Sequence, residues 1–290
     1  MGTTDKSIAL LQFRKSFTHI LKETNGRVDE ATLAKILPDF NKLMHIYTPD
    51  DLVSQFKESS EFLQILSEVL VREIRKLANN ENIAQAALAV YGLLKAHPPD
   101  AFGWSIVKSI SFLISSGQIR LLDPICKASL PSTLVKVFYL FFDLPNDVDA
   151  AELGHRRRLY DSLVVLMCSL CAYDAVAEEL IQRDDMVLLF LGAASTSQLD
   201  EQIWRDANFT FICTIVQRAM NDSVLKYIHT KGCISHYMQQ LSGQKIEDSQ
   251  MSILLANMLD LLKISAEHTT LLIEDFIVLN GFDVVVEFCV

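Results

Sequence analysis

Along most of the chain, apolar side chains recur at three- and four-residue spacing, the period of a helix that buries one stripe. Residues 59–77 show it most clearly: Phe62, Ile65, Leu66, Val69, Leu70 and Ile74 fall on one face, with Arg72, Glu73, Arg75 and Lys76 on the other. The stretch 7–23 repeats the pattern with Ile8, Leu11, Phe13, Phe17, Ile20 and Leu21, and Asn25-Gly26 ends it. Thr48-Pro49-Asp50-Asp51 opens a further helix, because Thr48 suits an N-cap, Pro49 the first turn, and two carboxylates the positive end of the dipole. The same periodicity predicts helices over 29–47, 82–96, 99–115 and 132–142. A regular cadence follows at 157–171, 175–182, 186–194, 201–220, 222–229, 249–264 and 267–279. Between 143 and 154 the chain is acidic, contains Pro145, and reads as a surface loop.

The cadence is a repeat. Lys226-Tyr227-Ile228-His229-Thr230-Lys231-Gly232-Cys233-Ile234 returns in kind as Phe276-Ile277-Val278-Leu279-Asn280-Gly281-Phe282, which makes Gly232 and Gly281 equivalent corners. A helix that must stop and restart at a steep angle needs a residue with positive φ, and glycine reaches that region without a Cβ penalty. Upstream, Asp185 and then Ser129 take the corresponding places, with the register drifting by several residues. Repeats of three helices in roughly 40 to 47 residues are of armadillo type. The expected fold is therefore all-α, an armadillo/HEAT-like α-solenoid. Helical repeats over 1–128 would run into armadillo-like repeats over 129–290, as one continuous elongated unit.

Composition narrows the function. Ten glycines and seven prolines are few for 290 residues, and half the residues are hydrophobic, enough for a large core. The net charge is −10, and it is uneven: 16 basic against 17 acidic side chains over 1–150, but 10 against 19 over 151–290. That sign opposes binding to phosphate backbones, so no nucleic-acid partner is expected. The longest uncharged runs, 186–199 and 162–173, are too short to span a bilayer, and no secretory start is visible, so a cytoplasmic protein without direct membrane insertion is expected. The six cysteines, from Cys126 to Cys289, lie inside apolar helical patterns and read as reduced core thiols.

No stretch assembles an active site. Cys168-x-x-Cys171 has no second pair at zinc spacing and no preceding strand. The acidic pairs Asp50-Asp51 and Asp184-Asp185 lack the third carboxylate of a metal motif, with Ser54 and Leu188 where it would stand, and no His-Glu-x-x-His arrangement occurs. No catalytic, cofactor-binding or metal-binding residue is expected. Two stretches remain as partner-binding candidates. His155-Arg156-Arg157-Arg158 is either a basic docking site, part of a nuclear signal, or a solvated helix entry; three arginines at a positive helix end favour an acidic partner. The apolar run Val137-Phe138-Tyr139-Leu140-Phe141-Phe142 is either core between stacked helices or an exposed groove.

Pro131-Ser132-Thr133-Leu134-Val135-Lys136, continuing into Tyr139-Leu140-Phe141-Phe142-Asp143-Leu144-Pro145, resembles the N-terminal region of the very large BEACH proteins that carry WD repeats and a FYVE finger, the Alfy and blue cheese family. Arg72-Glu73-Ile74-Arg75, Ser115-Ser116-Gly117-Gln118, Glu178-Glu179-Leu180 and Lys226-Tyr227-Ile228-His229 are similar to that region in the same order. The resemblance implies a non-catalytic cytoplasmic scaffold of selective autophagy, linking protein aggregates to the autophagy machinery and to marked membranes through modules beyond Val290. Its partners would be autophagy or trafficking proteins and further repeats of the same polypeptide. The alternative is a self-contained armadillo adaptor in endosomal or cytoskeletal traffic. The last helix, Phe282-Asp283-Val284-Val285-Val286-Glu287-Phe288-Cys289-Val290, is apolar on more than one side and lacks a closing polar turn. From this pattern the unit is expected to be truncated, with Val285, Val286, Phe288 and Val290 offering the surface for the next layer.

Overall fold

A computed structural model describes residues 3–95, 102–195, 202–242 and 248–289. These residues are all-α, with no strand among them. The helices are α1 (Thr3–Glu23), α2 (Glu30–Ile46), α3 (Pro49–Gln55), α4 (Ser59–Ala78), α5 (Ile83–Leu94), α6 (Phe102–Ile114), α7 (Leu122–Lys127), α8 (Leu130–Leu140), α9 (Ala150–Cys171), α10 (Asp174–Gln182), α11 (Asp185–Ala193), α12 (Gln202–Arg218), α13 (Asp222–Thr230), α14 (Cys233–Ser242), α15 (Asp248–Ser265), α16 (Leu271–Val278) and α17 (Gly281–Cys289). The chain divides into two compact units, Met1–Thr133 with Asp147–Ser169 and Leu134–Asn146 with Leu170–Val290. This division differs from the expected break at 128, because most of α9 belongs to the first unit.

Local chemistry sets the helix starts. Asp29, Thr48 and Asn82 each accept a hydrogen bond from the backbone N–H three residues on, satisfying a donor that the first turn leaves orphaned. Asp149 does the same for Glu152, at 2.8 Å, so α9 begins at Ala150 and the expected loop over 143–154 ends early.

The first unit closes around phenylalanines. Phe13, Phe17, Phe40, Phe56 and Phe62 are fully or almost fully buried, with Phe40 and Phe62 ring centroids 4.7 Å apart and Phe13 edge-on to Phe62 at 5.3 Å. Such edge and tilted contacts suit the ring quadrupole. α4 is the central element, with α5, α6 and α7 against it. A two-point Arg14–Glu58 ion pair, at 2.7 and 2.9 Å, fastens α1 to the start of α4.

The second unit is a stack of armadillo-like repeats. Each consists of a short helix, a corner and a second helix: α10 and α11, α13 and α14, α16 and α17. Long helices α12 and α15 join one repeat to the next. Like packs on like, α10 on α13 on α16, α11 on α14, and α12 on α15. Phe138 and Phe141 cap the start of this core, Phe138 edge-on to Phe211 at 4.8 Å and Phe141 against Trp204 at 5.0 Å. The aromatic run is thus core, although Tyr139 remains exposed.

The corners are left-handed residues at Ser129 (φ 58°), Asp184 (59°), Gly232 (61°) and Asn280 (54°). Two of the expected positions are off by one. Asp185 and Gly281 are each the first residue of the following helix, and the left-handed conformation falls to Asp184 and Asn280, whose short polar side chains tolerate it. With these assignments Asp184, Gly232 and Asn280 are spaced evenly, 48 residues apart.

Candidate functional site

The even spacing lets equivalent positions be compared directly. Met186 of α11 and Ile234 of α14 are buried, whereas their counterpart in α17, Phe282, is 47% exposed. Phe190 and Met238 are likewise buried, and their counterpart Val286 is 59% exposed. α11 packs extensively on α12, and Tyr237 of α14, the counterpart of half-buried Val285, donates its hydroxyl to the Leu254 carbonyl of α15 at 3.0 Å. α17 therefore presents, bare, positions that the two earlier repeats bury.

Neighbouring residues extend it. Ile277 stands at the position of His229, which reaches forward to Asp275 of the next repeat at 2.8 Å, and Ile277 and Val278 are exposed. The patch Ile277, Val278, Phe282 and Val286 is flanked by exposed Asp283 and Glu287. Phe282 is held at its root by an edge-on contact with buried Phe276, centroids 5.0 Å apart. Of the residues expected here, Val286 is exposed, Val285 is half-buried, and the side chain of Phe288 and all of Val290 lie outside the described residues. Ile277, Val278 and Phe282 were missed. Comparison of the α17 pattern with its two forerunners was the signal that would have found Phe282.

Polar clasps hold successive repeats in register. Asp184 receives Lys231 Nζ at 2.6 Å and the Tyr227 hydroxyl at 3.0 Å, and these bonds, Lys231 first, hold its carboxyl below the usual range. Burial pushes the Cys213 and Cys233 thiols up to about 12, so both behave as small apolar groups. Cys171 is buried and Cys168 half-buried. No group of three His, Cys, Asp or Glu side chains among the described residues converges at metal-binding distance.

The arginine cluster does not survive as a unit. Arg156 is buried, with its guanidinium 5.8 Å from the Tyr91 ring centroid and Glu152 one turn back at 3.9 Å, because position 156 shares the inward stripe of Leu159 and Leu163. Only Arg157 and Arg158 face solvent. A cleft of about 410 Å³ between α6 and α9 is lined by residues that include Lys108, Ser111, Phe112, Asp161, Ser162 and Val165. No helix among the described residues is long and apolar enough to cross a membrane. One adjoining pair, Ile119–Lys127 with Leu130–Asp143, passes by length and composition but is bent by 64°.

The chain is distantly related to WD repeat- and FYVE domain-containing protein 4. It is 22% identical to the human protein over 188 residues, 64% of this chain, and 22% identical to the mouse protein over 191 residues, also 64% of this chain. It spans 6% of the length of each relative. No protein-family model matches the chain, and no solved structure gives a significant match.

Proposed function

We propose that this chain is a non-catalytic scaffold segment of a WD-repeat and FYVE-type protein, and that the α16–α17 face receives an amphipathic helix in the place that α12 and α15 occupy in the preceding repeats. The observation that carries the reading is the exposure of Phe282 and Val286 at positions that are buried in both earlier repeats. Isolated exposed apolar residues are ordinary on a protein surface, whereas a contiguous patch rimmed by charge marks an interaction site. The helix it accepts carries apolar anchors at i, i+3, i+4 and i+7 with basic flanks facing Asp283 and Glu287. The finer reading is a BEACH protein of Alfy type, working in the cytoplasm in selective autophagy of aggregates and associated membrane traffic. Its support is the resemblance over residues 131–145 together with the distant relatives. Its partners are then autophagy or trafficking proteins and further repeats of the same polypeptide, without nucleic acid and without membrane insertion by this segment, in keeping with the acidic charge.

The test is selection of a helical peptide library on the native chain, with counter-selection on Phe282→Asp/Val286→Asp. Enrichment of amphipathic, basic-flanked helices that are lost on the double variant is expected. Enrichment of nothing, or of peptides indifferent to the two substitutions, would overturn the reading.

A further inference from the structure

Within the apolar run of α8, Phe138 and Phe141 are buried, whereas Tyr139 is 44% exposed and Phe142 half-buried. The rings of Tyr139 and Phe142 stand beside each other, with planes 72° apart and centroids 5.9 Å apart. Asp143 closes the tight turn Phe141–Asp143, four residues after Tyr139 and so on its side of the helix. Asp143 is exposed and makes no hydrogen bond or ion pair with any described residue. The cation nearest in sequence, Lys136, is drawn instead to the buried carboxylate of Asp185 at 3.1 Å. An aromatic corner and an unengaged carboxylate thus lie together at the surface.

We propose that Tyr139, Phe142 and Asp143 receive an arginine side chain presented by a basic segment of a partner protein. The face of an aromatic ring attracts a cation, and one lying ~4 Å from each of two ring centroids at a right angle would hold them roughly 6 Å apart, close to the spacing seen here. The carboxylate selects among cations. A guanidinium stacks its plane on a ring while its N–H fork reaches the carboxylate, whereas a fully methylated ammonium has no N–H to give Asp143. Asp147, also exposed, adds the same sign of charge four residues on. Because the three side chains remain open to water, one inserted arginine binds weakly, and the site acts as a single anchor within a longer contact. The proposal stands on other residues than the α16–α17 face and does not depend on it.

Aromatic NMR on the full chain, titrated with acetyl-arginine amide, tests this. Saturable shifts at Tyr139, Phe142 and Asp143 are expected, with a Kd on the order of millimolar. Affinity should fall several-fold as salt rises from about 0.05 to 0.5 M. Acetyl-citrulline amide, similar in shape but uncharged, should leave these signals unmoved. Tyr139→Leu and Asp143→Asn alter exposed positions, and unchanged signals from buried Phe62 and Phe276 would verify that the fold is spared. Each variant should weaken arginine binding about threefold or more. Shifts that never saturate, or equal shifts with citrulline, would overturn the proposal. So would arginine binding that both variants leave intact, or trimethyl-lysine amide bound as tightly as arginine, since Asp143 would then have no part in the choice.

Discussion

Gly281 and Gly232 look interchangeable in sequence, yet alanine should harm them for different reasons. At Gly281 an added Cβ would lie 2.4 Å from Cε2 and 2.5 Å from Cδ2 and Cζ of Phe276, a ring that is fully buried and braced edge-on by Phe282. A ring so confined cannot swing aside, and overpacking of this kind costs about 1–3 kcal/mol. At Gly232 space is ample, with Ser235 Cβ at 3.7 Å, but φ is +61°. Left-handed backbone costs a Cβ-bearing residue about 1–2 kcal/mol, offset by ~0.4–1 kcal/mol from the less flexible unfolded chain. The totals overlap, so rescue is the discriminating result. Gly281→Ala should be relieved by about 1 kcal/mol when combined with Phe276→Leu in a double-mutant cycle. Gly232→Ala should gain nothing from trimming Ser235. Urea unfolding, paired with amide exchange over 233–242 and 281–289 to localise the damage, measures both. A stable Gly281→Ala, or strict additivity with Phe276→Leu, would refute the packing argument.

Other outcomes follow from the same geometry. Arg156→Ala should cost about 1–3 kcal/mol by removing a buried stem and its cation–π contact with Tyr91, whereas Arg157→Ala should stay within ~0.5 kcal/mol, both read by chemical denaturation. The hydrogen bond from Arg14 holds the Glu58 carboxyl below its ordinary range. Its contribution, under ~1 kcal/mol for a partly exposed pair, is therefore present above the unfolded carboxylate value and lost as pH falls through the depressed one. The stability gap between the parent and Glu58→Gln should narrow to nothing on acidification, and a gap independent of pH would contradict this. Cys213 and Cys233 should resist alkylation at pH 8 in the folded chain and label rapidly in denaturant, as mass spectrometry would show.

Helix type was legible because a 3.6-residue stripe is a long-range property of the sequence and tolerates local error. Corners were legible to within one residue: Gly232 is the left-handed residue, but at Asn280-Gly281 asparagine takes that conformation, and glycine is needed instead for the approach of Phe276. Two demands for a small residue sit side by side there, and sequence alone does not separate them. Arg156 was misjudged because charge was weighed before register, although Leu159 and Leu163 already marked its stripe as inward. The exposed face of α17 was only half legible. Its apolar content is plain in the sequence, but which residues stay bare depends on what covers their counterparts.

The 48-residue spacing also limits how this protein's length can change over evolution. Helices in the second unit meet their own kind, so duplicating one span from Cys233 to Asn280 would return every helix to a familiar neighbour, while a partial insertion would misalign the contact of His229 with Asp275. The repeat containing α12 is tied to its place in another way, since Trp204 and Phe211 are fitted to Phe138 and Phe141. Growth by whole repeats thus disturbs fewer fitted contacts beyond Gly232 than before it.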